Sequence, residues 1–209
     1  MTGSREAFKI DFLKGSGFDI FMAAKAKGFS TFGSLFIVAH ASMESGWGKG
    51  NWADETHNLF SVMGGSDPKY GNEHGKLAKY ADVSHGFDAY LALLAKTDRW
   101  PTTVEAKTGL YYQTVFEPAD VNKAFHQKDY YAKGGPAYNA DPKSDYGDVL
   151  FDRMRWLAGP LIVLLGQIIQ SAPADSANAN LLPGYLVELQ AAYSEVAAKL
   201  AAHRKGTKK

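Results

Sequence analysis

The sequence predicts an α+β protein, mostly α, with two lobes that meet near one acid and a helical extension at the C-terminal end. Three observations predict it. Apolar residues recur at helical spacing through most of the chain. Between Asn51 and Ser84 the character changes to Gly, Asn, Asp and Lys with scattered aromatics, which reads as short strands and turns. A small polar run, SAPADSANAN at Ser171–Asn180, then sets off a last helix as a linker would. The expected division is a core domain over 1–158 and an extension over 159–209.

Taken in order, Ala7–Lys27 reads as helical, with Phe8, Phe12, Phe18, Phe21 and Met22 as core positions and an interruption at Gly15 to Gly17. Gly28 ends it, and Ser30 or Thr31 caps the next helix. There Phe32, Leu35, Phe36, Ala39 and Met43 form a core stripe. Glu44 lies beside that stripe, and His40 stands one turn earlier on the same ridge. Gly46 and Gly48 end the helix. After the strand-rich stretch, Phe87, Tyr90, Leu91 and Leu94 mark another helix, which Asp82 caps or positions. Pro101 with Thr102 and Glu105, and later Pro118, start two more. Tyr130–Asp145 is a second polar loop. Asp145 caps a helix through Leu157, Gly159-Pro160 breaks it, and an apolar helix follows to about Gln170. The last helix, Tyr185–Leu200, carries Leu186, Leu189, Tyr193, Val196 and Leu200.

Composition removes several classes. The 209 residues carry a net charge of about +1, which gives no reason to invoke nucleic acid. With no cysteine, thiol nucleophiles, disulfides and cysteine-ligated metals are excluded. No cofactor and no metal site is expected: HExxH, the P-loop, GxGxxG and GxSxG are all absent, and His40 with Glu44 alone is a weak metal pattern. The most apolar run, Leu157–Ile169, is about 13 residues, short of the roughly 20 that span a bilayer, so no stable membrane insertion is expected. No apolar stretch of signal-peptide length opens the sequence.

The chemistry concentrates at His40–Gly50, HASMESGWGKG, and the following Asn58-Leu59-Phe60. A carboxylate at a helix C-terminus meets the unfavourable end of the dipole, at a cost of a few tenths of a kcal/mol. That position, with Met43 and Trp47 beside it, favours the protonated form that a general acid needs. Glycosidic cleavage uses such an acid with a second group that activates water or attacks the sugar. Asp67, Glu73 and Asp82 are the acids of the strand-rich stretch, and Glu73 lies in the turn YGNEHG. Aromatics are frequent in the polar stretches, and aromatic faces pack against sugar rings. Trp47, between two glycines, and Tyr138 are the groove candidates.

These residues resemble glycoside hydrolase family 73, the N-acetylglucosaminidase domain of bacterial peptidoglycan hydrolases. The resemblance rests on Ala39–Lys49, AHASMESGWGK, and Asn58-Leu59-Phe60-Ser61-Val62. Weaker matches are Tyr80 with Phe87–Tyr90, and Ala137–Pro142 followed by Tyr146. It covers roughly three quarters of the chain. The family implies a lysozyme-like fold and hydrolysis of the β-1,4 bond between N-acetylglucosamine and N-acetylmuramic acid. It implies Glu44 as general acid and Tyr138 as a tyrosine near it. Trp47, Asn58, Phe60, Tyr80, Asp141 and Tyr146 fall at positions that shape the site. His40 stands where the family has glutamine, and Ser61 where it has glycine. The second catalytic role is left between Glu73 as base and the substrate's own 2-acetamido group supported by Tyr138. A carboxylate separation beyond about 6.5 Å favours inversion or substrate assistance over retention.

The implied partner is a peptidoglycan glycan strand, which lies outside the cytoplasm. A small wall hydrolase with no visible leader or wall-binding repeat resembles type VI secretion effectors, which act in the periplasm of target bacteria. That reading brings a cognate immunity protein over the groove. A phage-type endolysin or muramidase, and an inactive sugar-binding module of a secretion or tail assembly, are the alternatives.

Overall fold

The computed structural model describes residues 3–49, 53–62, 72–73, 77–94 and 146–206. Helix α1 (Gly3–Phe12) runs through a π-helical turn (Leu13–Gly17) into α2 (Phe18–Ala26). The interruption expected at Gly15 is real: its backbone leaves the helical region there, at φ −105° and ψ −112°. Helix α3 (Thr31–Glu44) follows, with Ser30 as N-cap accepting from the Gly33 amide at 3.0 Å.

Helix α3 is the centre of the molecule. Every residue from Thr31 to Ser42 is buried, so the expected stripe is one face of a helix covered on all sides. The covering elements are α2, α6 (Tyr146–Ser171) and α7 (Ala177–Gly206). Leu35, Phe36, Ile37 and Val38 are fully enclosed, each worth about 1.5–3 kcal/mol of transfer free energy. Phe151 meets Phe32 edge-on at 6.0 Å, one of the contacts that seat α6 on α3.

Between α3 and α6 the described chain comprises α4 (Ala53–Thr56), a hairpin and α5 (Val83–Leu94). The hairpin is two antiparallel two-residue strands, β1 (Asn72–Glu73) and β2 (Leu77–Ala78), with Glu73 opposite Leu77. The strand-rich stretch thus holds a short helix as well as strands. The helices expected from Pro101 and Pro118, and the polar loop Tyr130–Asp145, lie outside the described residues. So do Asp67, Tyr138 and Asp141.

Two expected boundaries are corrected. Gly159-Pro160 does not break the chain: α6 continues through it without interruption to Ser171, and the expected boundary at 158 falls inside this helix. Proline costs a helix interior about 3 kcal/mol. Leu157, Ala158, Leu161 and Leu165, on both sides of Pro160, are fully buried, and their burial outweighs that cost. Pro160 also lines a half-open hollow of about 330 Å³ with Ile10, Leu13, Lys14, Val163, Leu164 and Gln167. The linker is likewise shorter than Ser171–Asn180. Ser176 accepts from the Ala179 amide at 3.2 Å and caps α7, which begins at Ala177 and takes in Pro183 on its exposed side. The buried stripe of α7 is Leu182, Leu189, Ala192, Val196 and Leu200, while Tyr193 faces outward at 40% exposure.

Helices α6 and α7 form an antiparallel hairpin closed at its open end by ion pairs. Asp148 Oδ2 lies 3.4 Å from His203 Nε2, and Arg204 reaches both Asp148 and Asp152. A second latch ties α7 to the start of α3. Lys25 Nζ donates to Glu188 Oε2 at 2.7 Å and to Thr31 Oγ1 at 3.0 Å, and the Thr31 hydroxyl also donates to Glu188. These bonds hold the Glu188 carboxyl below its ordinary value, the Lys25 bond most of all. Among the described residues, no helix is long and apolar enough to cross a membrane.

Candidate active site

Glu44 is the last residue of α3, and its side chain is only 7% exposed. The chain leaves the helix there by a tight left-handed exit. Gly46, Trp47 and Gly48 have φ of +55°, +65° and +74° in succession. The Trp47 amide donates to Ser42 O at 2.8 Å and the Gly46 amide to Met43 O at 3.4 Å. This pairing, six-to-one outside five-to-two, is a Schellman cap with Gly46 at its left-handed position. Ser45, 2% exposed, bridges the turn: its hydroxyl donates to Ala41 O at 2.6 Å and accepts from the Gly48 amide at 2.8 Å. The sequence ESGWG is therefore a stop signal that leaves an acid at the end of a rigid, buried helix.

A left-handed tryptophan costs about 1–2 kcal/mol. What holds it is a cage drawn from distant parts of the chain. The Trp47 ring meets Phe8, Phe12 and Trp156 edge-on, at centroid distances of 6.5, 6.0 and 5.1 Å. The Arg153 guanidinium lies over it at 4.2 Å and the Lys9 ammonium at 5.5 Å. Arg153 also donates to Ser42 O at 3.1 Å and to Ser42 Oγ at 3.3 Å, a cation placed where the dipole of α3 favours one. Trp47 is half-buried, and its aromatic contacts belong to this wall. In the sequence Arg153 is only one member of an apolar stripe; its charge there was the available signal.

The Asn58-Leu59-Phe60 segment forms the other side. Asn58, 4% exposed, brackets the loop through its amide. It donates to Val62 O at 2.8 Å and Ala78 O at 2.9 Å, and accepts from the Val62 amide at 2.9 Å. Its side chain thus shapes the site through the backbone. Phe60 is buried in a stack on Tyr90, 4.0 Å away and 6° from parallel, with Phe87 beyond. Tyr80 is buried too, its amide donating to Thr56 O and its carbonyl facing His57 Nδ1 at 2.9 Å. Gly86 sits so close to this loop that a Cβ would lie 2.4 Å from the His57 carbonyl oxygen.

Ser61 joins the two sides. Its hydroxyl donates to the main-chain carbonyl of Glu44 at 3.2 Å, and its φ is +51°, the region that glycine occupies at no cost. His40, missed as a site residue in the sequence, lies beneath the acid, with Nε2 3.5 Å from Glu44 Oε1 and Nδ1 2.7 Å from the Tyr90 hydroxyl. The signal for it was its place one turn before Glu44. Glu73 is placed by its backbone alone, in β1. Tyr146 opens α6, and its side chain lies outside the described residues. No group of three or more His, Asp or Glu side chains capable of holding a metal occurs among the described residues.

Glu44 is thus a carboxyl shielded from water and held at the end of a rigid helix. A family model described as glucosaminidase, mannosyl-glycoprotein endo-beta-N-acetylglucosaminidase, matches residues 22–155, well over half of the chain. The chain belongs to this family and is an endo-β-N-acetylglucosaminidase with its mostly helical, lysozyme-like fold. No curated protein and no solved structure matched the chain.

Proposed function

We propose that Glu44 is the general acid that cleaves peptidoglycan at the β-1,4 bond between N-acetylglucosamine and N-acetylmuramic acid. The observation that carries this reading is the placement of Glu44. A carboxyl is kept 7% exposed at the helix end where the dipole disfavours its charge, inside the family match. Glu44 protonates the leaving glycosidic oxygen. The attack on the anomeric carbon comes from water activated by Glu73 or from the substrate's 2-acetamido oxygen, supported by Tyr138. Asp141 and Tyr146 complete the groove with Trp47, while Asn58, Phe60 and Tyr80, all buried, back its wall.

Digestion of purified peptidoglycan, followed by borohydride reduction and mass spectrometry, tests the bond. Reduced N-acetylglucosamine ends are expected from the wild type and none from Glu44→Gln. Reduced muramic ends would make the enzyme a muramidase, and anhydro ends a lytic transglycosylase; either overturns the assignment.

The substrate lies outside the cytoplasm, so the enzyme must reach it. Our reading is delivery by type VI secretion into the periplasm of rival bacteria, with a cognate immunity protein seated over Glu44 in kin cells. Expression directed to the periplasm of a sensitive host should lyse it, and expression confined to the cytoplasm should not. A harmless periplasmic form would count against this delivery reading.

A further inference from the structure

The imidazole beneath Glu44 is fixed on every side that the described residues define. His40 is 2% exposed. Its ring meets Tyr90 at 5.7 Å and Phe60 at 6.4 Å edge-on, and Phe36 at 6.3 Å. Phe60 and Tyr90 are themselves stacked, so the wall that holds the ring is rigid. Both ring nitrogens face oxygen atoms: Nδ1 the Tyr90 hydroxyl at 2.7 Å, Nε2 the Glu44 carboxyl at 3.5 Å. A histidine retained for packing needs one such partner. This one also lies within ion-pair reach of a second group, and that group is the acid itself.

We infer that His40 is the positioning residue of Glu44: Tyr90 fixes the imidazole through Nδ1, and Nε2–H holds Oε1 of the acid from the core side. The inference rests on Glu44 being the acid. Proton counting sharpens it. When Glu44 is ionised it only accepts, so a neutral His40 carries its proton on Nε2, and Nδ1 accepts from the Tyr90 hydroxyl. When Glu44 is protonated, the same tautomer still donates to Oε1. The acid's proton therefore resides on Oε2, the oxygen His40 does not hold, and Oε2 delivers it to the leaving group. The separation of 3.5 Å is long for a hydrogen bond, and catalytic contacts of this kind tighten when substrate binds.

Amide side chains separate the two nitrogens. Asparagine places its amide where Nδ1 stands, and glutamine where Nε2 stands. His40→Asn keeps the Tyr90 partner and removes that of Glu44; His40→Gln does the reverse. The expected result, on solubilised peptidoglycan, is that H40N loses about 10- to 100-fold in kcat with KM unchanged, the scale of a misplaced catalytic group. H40Q retains most of the wild-type kcat. Wild-type kcat in H40N, or an equal loss in H40Q, overturns the proposal. If H40N does not fold, Tyr90→Phe keeps the stack on Phe60 and removes only the hydroxyl. It should lower kcat several-fold at unchanged KM, and an unchanged kcat overturns the proposal equally. E44Q in the same assay separates the two readings. An active E44Q overturns the acid and His40 with it, whereas an inactive E44Q beside a fully active H40N overturns His40 alone.

Discussion

Two histidine–carboxylate pairs sit at opposite kinds of helix end. At the start of α5, Asp82 Oδ1 accepts from the His85 amide at 2.9 Å and lies 2.9 Å from His85 Nδ1, with both side chains more than half exposed. At the end of α3, His40 and Glu44 are 3.5 Å apart, with side chains 3% and 7% exposed. Asp82 sits where a helix favours an acid, and the His85 amide holds its carboxyl below the ordinary value. Glu44 sits where a helix disfavours one, out of water. The same pair of residue types is a cap in one place and a site in the other. Orientation on the dipole and burial separate them, not composition.

The comparison breaks most sharply at Glu44. E44Q should lower the rate of peptidoglycan cleavage by about 100-fold or more, the range of a lost general acid. Its melting temperature should stay level or rise, since a charge leaves the wrong end of a dipole. A clear drop in melting temperature would mean that Glu44 serves the fold. The next effect falls on the neck between the two pairs. Gly86→Ala drives a methyl into the His57 carbonyl and should cost about 1–3 kcal/mol, read as a lower urea midpoint. Asp82→Ala should cost about 1 kcal/mol by denaturant melts and leave kcat untouched. Loss of activity in D82A would erase the distinction drawn between the pairs.

Acid titration carries the next test. The folded-state values of Asp82 and Glu188 are both lowered, so each contributes stability above its unfolded value and loses it as pH falls through the folded one. The loss begins below the ordinary values of 3.8 and 4.5, and it should shrink in a Glu188→Gln, D82N double variant. The smallest effect is at Ser61. Glycine there relieves the left-handed strain but removes the bond to the Glu44 carbonyl, so S61G should shift the melting temperature little and lower kcat modestly.

Much of this was legible in the residues. The Ser30 cap, the glycine interruption at Gly15, the Asp82 cap and the exit at Gly46 are local signals, and local physics decides them. Pro160 and the polar run before α7 misled for the opposite reason. Their helices persist because Leu157, Leu161, Leu182 and Leu189 are buried by partners far along the chain, and propensity does not see those partners. The cage of Trp47 was hidden likewise, being assembled from Phe8, Phe12, Arg153 and Trp156. Glu44 announced itself through motif; His40 announced only its spacing, and the meaning of that spacing came from Tyr90.

The latch of Lys25 and Thr31 on Glu188 has a consequence for how the protein is born. Helix α3 is made before α6 and α7, the last described helices of the chain, yet two of its covering surfaces belong to them. At about 5–20 residues per second, the roughly 160 residues from the end of α3 to the end of α7 take about 8–32 s to make, with Ile37 and its neighbours unsheltered meanwhile. Until α7 has been made, Glu44 stands at the end of a helix whose outer faces are uncovered.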